Sequence, residues 1–260
     1  LKGIATVTRQ KYLTASEKGP WANSYDRWRN DNLTNRYQGV QFGYTSAGRY
    51  TSWNDIWNYY GFKERDVLPG DYKYEDWNGD GEINGQDEHP FAFDQTPWLQ
   101  FSLNAGLQWK NFDFNMLLQG SALGSMEYKE PLHEIWGKNG GGALTQFLDR
   151  WHPVDPKADP YDPSTVWTSG HYAYTGRWAK NNSAFNRVST AYLRLKSIEL
   201  GYTFPKLKQI PNASLRVYAN AYNLLTFTGV KFVDPEHPDD DLGRMYPLNK
   251  TYTLGVSLSF

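Results

Sequence analysis

The feature that most constrains this chain is an uninterrupted period-two alternation. Leu99, Phe101, Leu103, Ala105, Leu107 and Trp109 take every second position, and Gln100, Ser102, Asn104, Gly106 and Gln108 fill the positions between. Successive side chains of a β-strand point to opposite faces, so this segment needs an apolar medium on one side and polar groups on the other. After Lys110-Asn111 the pattern returns, with Phe112, Phe114, Met116 and Leu118 set against Asp113, Asn115 and Gln119. That spacing predicts a hairpin with a two-residue turn. Strands of about 10 residues are longer than the mode of about 5–6 in soluble sheets. Tilted roughly 45°, the 11 residues 99–109 rise about 26 Å, which matches the apolar band of about 25 Å on a transmembrane β-barrel. Trp98 and Trp109 bracket the segment, as aromatic girdles bracket such a band.

The pattern assigns firm strands near 98–109, 112–120, 192–204, 213–224 and 251–260. Tyr252, Leu254, Val256, Leu258 and Phe260 alternate with Thr, Gly and Ser, and Leu215, Val217, Ala219 and Ala221 oppose Arg216, Tyr218, Asn220 and Tyr222. In 192–204 the apolar phase changes between Leu195 and Ile198, which predicts a bulge near Lys196-Ser197. Leu1–Tyr12 alternates weakly, and 39–44 is a further short candidate. The connections at 110–111 and 205–212 are short, whereas 121–190 and 225–250 are long. Barrels have this asymmetry between periplasmic turns and extracellular loops. Within the first long loop, Ala143, Leu144, Phe147, Leu148 and Trp151 fall on one helical face before Pro153, predicting a helix of about three turns.

Composition removes several functional classes. The 260 residues carry a formal charge of -1, so no basic surface points to nucleic acid. No apolar run approaches the roughly 20 residues of a membrane-spanning helix, a test that a β-barrel escapes because its strands show lipid only every second residue. With no cysteine, disulfides and thiolate chemistry are excluded. The five histidines are dispersed and form no metal-binding pair. No nucleophile elbow, phosphate loop or dinucleotide fingerprint occurs, and the many carboxylates show no catalytic spacing, so no enzyme is expected. The chain starts Leu1-Lys2-Gly3 without a signal-peptide pattern, which reads as the tail of something longer.

One motif carries metal chemistry. Asp76, Asn78, Asp80, Glu82, Asn84 and Asp87 fit the spacing of a calcium loop, with Gly81 at the sharp turn and aspartate in place of the usual glutamate at the last position. Asp76, Asn78, Asp80 and Asp87 would ligate through side chains, Glu82 through its carbonyl, and Asn84 directly or through water. Calcium, or magnesium, is expected as a structural clip, since no amphipathic helix flanks the loop. A second acidic group, Asp234, Glu236 and Asp239–Asp241, reads better as a solvated loop. Aromatics reach 17%. Of those in the long loops, Trp136, Trp151, Trp167, Tyr172 and Trp178 are candidates for substrate contact, and mutual packing accounts for most of the others.

Several short motifs in a fixed order resemble SusC/RagA-type TonB-dependent outer-membrane transporters of Bacteroidetes. They are Leu68-Pro69-Gly70-Asp71-Tyr72-Lys73-Tyr74, Phe112-Asp113, Gln119-Gly120, Asp149-Arg150-Trp151, Tyr192-Leu193-Arg194-Leu195-Lys196, Leu200-Gly201-Tyr202-Thr203-Phe204-Pro205, Asn223-Leu224, Asp234-Pro235-Glu236, Tyr246-Pro247 and Phe260. The resemblance covers about 68–260. It implies that residues 1–260 are the C-terminal part of a large antiparallel transmembrane β-barrel with long extracellular loops, lacking its plug domain. It also implies outer-membrane lipid around the wall, an N-terminal barrel and plug portion elsewhere, and TonB coupling through that portion. A SusD-like surface lipoprotein, a glycan or peptide substrate, and Phe260 as an assembly signal follow from the same likeness. The rival readings are a secreted, calcium-clipped β-sandwich that binds carbohydrate and, more weakly, a glycan-active enzyme.

Overall fold

A computed structural model of the chain describes residues 1–15, 33–59, 67–133, 142–176, 179–180, 182–205, 213–237 and 243–260. In chain order the elements are β1 (Lys2–Val7), β2 (Val40–Gly43), β3 (Ser46–Arg49), the short helix α1 (Trp53–Asn58), β4 (Tyr72–Tyr74), β5 (His89–Phe93), β6 (Leu99–Trp109), β7 (Phe112–Ala122), β8 (Ser125–Glu127), β9 (His152–Pro153), β10 (Trp167–Thr168), β11 (Arg187–Ser189), β12 (Tyr192–Phe204), β13 (Ser214–Thr228) and β14 (Thr251–Ser259).

The long strands form one antiparallel sheet in the order β1-β6-β7-β12-β13-β14, and the remaining strands pair two by two above it. Register follows the hydrophobic pattern, because a slip of one residue would turn every side chain to the wrong face. Leu103 stands opposite Leu118, Leu200 opposite Phe114 and Val217 opposite Val256. The other face is as consistent: Ser102 pairs with Gln119, Glu199 with Asn220 and Thr253 with Asn220.

The apolar face is bare. Leu107, Leu200, Val217, Leu254 and Val256 are all exposed, Leu254 at 85%. A β-sandwich would cover them with a second sheet packed about 10 Å away, and among the described residues every other sheet has only two strands. The sandwich reading is therefore corrected: the fold is a single open β-layer, with the uncovered face of a barrel wall. No described helix is long and apolar enough to cross a membrane.

At the short-turn end aromatic rings gather on the apolar face. Phe112 and Tyr202 lie 4.7 Å apart, as do Tyr202 and Phe204, with Trp109 beside Phe112 at 6.3 Å. Phe260 stands just beyond β14 at this end, 96% exposed. Trp98, at the other end, stands apart from any such belt. Its ring packs on Phe93 and Tyr37, with the Arg9 guanidinium over it at 4.7 Å. The hairpin turn places Lys110 at φ +53. Glycines make room for rings on both faces: a Cβ at Gly120 would strike the Phe101 ring, and one at Gly255 the Tyr218 ring.

The predicted bulge near Lys196-Ser197 is present, and two other expectations change in detail. The bulge lies between Leu195 and Ser197, where β12 shifts register against both neighbours. β13 runs on to Thr228, so the second long loop starts later than residue 225. The three-turn helix at 143–151 is a single 3-10 turn, Thr145–Leu148. Its apolar side chains are used separately: Phe147 is buried against Tyr172 at 4.5 Å, Trp151 lies over Gly70, and Leu148 points out at 79% exposure.

Candidate functional site

The polar face of the sheet and the loops above it carry the chemistry. Near the loop end, two consecutive rungs cross the strands. One aligns Ile4, Ser102, Gln119 and Arg194, and the next aligns Thr6, Gln100, Ser121 and Tyr192. Period-two alternation places all these side chains on one face, so carboxamides and hydroxyls alternate between neighbouring strands. Together with Gln95–Pro97, Leu117, Thr190 and the segment Pro235-Glu236, all of these but Arg194 line a cleft of about 690 Å³.

Arg194 fixes the roof of this cleft. Its side chain is 1% exposed; Nη1 donates to Glu236 Oε2 and Nη2 to Asp234 Oδ2, each at 2.5 Å, and Nε donates to Thr226 Oγ1 at 3.1 Å. The acidic loop is thus not merely solvated, because two of its carboxylates are held by the wall. Asp239–Asp241 lie outside the described residues. The same segment is held by Tyr128, whose hydroxyl donates to Lys231 O at 3.0 Å and accepts from Lys231 N at 2.8 Å. Val230 is buried with Met126, Tyr128 and Leu132, and Gln95 Nε2 donates to His237 O.

Lower on the same face, Arg216 bridges three strands. Nε donates to Asp113 Oδ1 at 3.0 Å, and Nη2 donates both to Asp113 Oδ2 and, at 2.6 Å, to Glu199 Oε1. Gly201 leaves room for the bridge, since a Cβ there would lie 2.5 Å from Asp113 Oδ1. Sequence reading missed both arginine centres. The available signal was a charge, at Asp113, Arg194, Glu199 and Arg216, on the polar phase of the alternation.

The 76–87 loop is closed by its own backbone. Asp76 accepts from the amides of Gly79, Asp80 and Gly81 at 2.7, 3.2 and 2.8 Å. Burial works against its charge, but these three amides outweigh it and hold the carboxyl below its ordinary value. Asp87 is fully buried and accepts from Trp77 N at 3.0 Å, Asn78 N at 3.4 Å and Asn84 N at 2.8 Å. Burial raises its pKa, the amides partly offset this, and neighbouring Asp76 adds repulsion. Asp80 and Asn78 are hydrogen-bonded to each other at 2.8 Å, Asp80 also accepts from Glu82 N, and Asn84 caps the turn Gly85–Asp87. The Glu82 side chain is exposed. Among the described residues no three Asp, Glu or His side chains form a ready metal cluster. The donor set nevertheless suits a hard cation: two carboxyls within hydrogen-bond reach of each other, with amide oxygens beside them.

Two of the candidate loop aromatics, Trp151 and Tyr172, meet in one knot. The Trp151 amide donates to Tyr172 O at 2.8 Å, and Gln146 Nε2 donates to the Tyr172 hydroxyl at 3.0 Å. Burial pushes that hydroxyl up to about 12. Trp167 stands edge-on to Tyr174 at 5.4 Å. Trp136 and Trp178 lie outside the described residues. The knot joins the cation loop through Leu68–Tyr74: Gly70, at φ +94, lies under Trp151, and buried Asp71 accepts from Leu68 N at 2.9 Å and Thr175 Oγ1 at 3.2 Å.

No family model matches the sequence. Over 211 residues, 75% of this chain, it is 28% identical to TonB-dependent receptor P3 of Formosa agariphila. It is 27% identical over 239 residues to TonB-dependent receptor P26 of the same organism, and 26% identical over 210 residues to TonB-dependent receptor SusC of Bacteroides thetaiotaomicron. The matched stretches are 19%, 22% and 19% of those proteins, so the chain spans about a fifth of the curated relatives it matches. In fold it is similar to the structure of the RagAB peptide transporter, with a TM-score of 0.55 at 19% identity, covering 90% of this chain and 24% of that one. The RagAB peptide importer in its closed-closed state gives a TM-score of 0.50 at 20% identity, over 88% of this chain and 23% of that one.

Proposed function

We propose that this chain, a relative of TonB-dependent receptors such as SusC, is a C-terminal wall segment of an outer-membrane importer of oligosaccharides or oligopeptides. The carrying observation is the two-sided sheet, with one face apolar, bare and edged by aromatics and the other polar and internally hydrogen-bonded. Lipid meets the first face and the transport lumen the second. The plug and the TonB contact belong to the remainder of the receptor, and the long loops reach the outer surface, where a SusD-like lipoprotein closes over them. Phe260, beside the aromatic belt, is read by the assembly machinery. The chain has no catalytic role; its contribution is to bind, confine and release cargo.

The test is assembly of the full-length receptor. Leu103→Arg and Leu254→Arg place a guanidinium in lipid, at about 2–4 kcal/mol near the bilayer midplane, and should lower the heat-modifiable barrel form in outer membranes. Asn104→Arg and Thr253→Arg, one residue away on the opposite face, should assemble normally. Equal behaviour of the two pairs would refute lipid exposure.

Calcium at 76–87 belongs to the same reading. Asp76, Asn78, Asp80 and Asp87 would hold it, Glu82 through its carbonyl and Asn84 directly or through water, and its charge would relieve the repulsion between Asp76 and the buried Asp87. Trp77 stacks on His89 at 3.7 Å, so its fluorescence reports the loop. EDTA-treated receptor should show a calcium-dependent change that Asp76→Asn abolishes; calorimetry and fluorescence without any change would remove the cation.

A further inference from the structure

The loop end of β1 carries a one-signed charge pattern. Residues 1–15 and 33–43 hold four cations, Lys2, Arg9, Lys11 and Arg36, and no acid, in a chain whose formal charge is -1. The two stretches are neighbours. Lys11 is bridged to Tyr37, Tyr12 N donates to Arg36 O at 2.9 Å, and Gln38 N donates to Gln10 O at 2.9 Å. Arg9 and Lys11 are both exposed, and among the described residues neither has an ion-pair partner. They are gathered on rings instead. Arg9 Cζ lies 4.7 Å from the centre of the Trp98 ring and 5.7 Å from that of Tyr37, and Lys11 Nζ lies 5.9 Å from the same Tyr37. A ring face attracts a cation without neutralising it. Two like charges thus share one ring, and an anion between them would relieve their repulsion.

Their side of the sheet decides what can reach them. Val7 stands opposite Leu99 and Ala5 opposite Phe101, in the phase of the bare apolar face, and the Thr8 amide continues the ladder to Trp98 O at 2.8 Å. Alternation from Val7, itself exposed, brings Arg9 and then Lys11 to that same side. Both stand just beyond the apolar band, at the level where a bilayer changes from acyl chains to headgroups. Trp and Tyr are the side chains that favour this level. The polar cleft opens on the opposite face, so cargo in the lumen is not the anion that these cations meet. A planar guanidinium matches the oxygens of a phosphate, and an ammonium beside it adds a second point charge.

We propose that Arg9 and Lys11, seated on Trp98 and Tyr37, form a binding site for the phosphate of a phosphorylated lipid headgroup in the outer leaflet. The inference rests on the wall reading above and adds a specific partner on its lipid side.

The experiment uses detergent-purified full-length receptor, with heat-modifiable migration confirming that each variant is an assembled barrel. The probes are diphosphoryl lipid A, the same lipid with its phosphates removed, and inorganic phosphate; native mass spectrometry counts the lipid retained. Arg9→Ala/Lys11→Ala removes the pair, Arg9→Lys keeps the charge without the planar fork, and Lys157→Ala/Lys231→Ala removes two exposed cations elsewhere. The expected result is retention of diphosphoryl lipid A lowered about fivefold or more by the first double variant, lowered less by Arg9→Lys and unchanged by the control. The dephosphorylated lipid should be retained equally by all. Equal retention of diphosphoryl lipid A by wild type and Arg9→Ala/Lys11→Ala overturns the site and leaves its cations to an acidic neighbour in the rest of the receptor. Equal retention of the two lipids by wild type overturns phosphate recognition, and displacement of lipid A by inorganic phosphate at equal concentration overturns the lipid as its source. Wild-type receptor that forms no barrel overturns the wall reading itself, so the two failures are distinguishable.

Discussion

Two arginines on neighbouring strands of one polar face each hold two carboxylates. Arg216 takes both from adjoining strands, Asp113 of β7 and Glu199 of β12, with 28% of its side chain exposed. Arg194 takes both from a segment some 40 residues onward, Asp234 and Glu236, and is 1% exposed. The first secures a register that the apolar alternation already specifies. The second ties a loop to the wall where no alternation exists to place it. Similar donors and acceptors thus serve redundancy in one region and architecture in the other, and burial separates the two cases.

The contrast breaks most sharply at Arg194. Arg194→Ala leaves two carboxylates without their cation beside a new void; Asp234 and Glu236 are 25% and 45% exposed, so water screens them and the loss is about 1–3 kcal/mol. Hydrogen exchange should show 229–237 opening while the strands stay protected; unchanged protection would mean that the Tyr128 and Val230 contacts suffice alone. Acidification comes next. Burial lowers the pKa of His133, next to Leu132 of the cluster that packs Val230, to about 4. The unfolded imidazole binds a proton below about 6.5, so over that interval the opened form takes up more protons. Local stability must then fall as pH drops from about 6.5 to about 4 and level off below. Exchange in 126–133 should rise over that window, and His133→Phe should flatten the profile. The smallest effect belongs to Arg216→Ala, about 1 kcal/mol or less for a partly exposed, solvent-screened pair. Thermal unfolding of the assembled barrel should barely register it, and a shift as large as that of Arg194→Ala would end the distinction.

The same division governs what the sequence disclosed. Between Leu99 and Ala122, and again through 192–204 and 251–259, the apolar residues face the same medium, Leu117 and Tyr192 on the polar face excepted, so periodicity and structure largely coincide. In 143–151 the helical spacing was genuine, but each side chain found a different partner: Phe147 took Tyr172 and Trp151 took Gly70. Separate tertiary contacts replaced the common face that a helix needs. The spacing of Asp76–Asp87 marked a compact loop, yet it could not show that the backbone amides would occupy those carboxylates first. Arg194 was legible only in retrospect, because its inward direction depends on the phase change at Lys196.

That phase change has a geometric consequence for the mouth of the wall. Between the level of Leu118, Leu195 and Leu225 and the level of Met116, Ile198 and Ala221, β7 advances by two residues, β12 by three and β13 by four. At about 3.3 Å per residue, each strand has one more increment of contour than its neighbour to cover the same height. Surplus residues of this kind bend their strands and increase the right-handed twist locally, so the wall turns at this level. Asn223, at φ +52, takes up part of the excess, and the change of direction below the cleft comes from a handful of surplus residues.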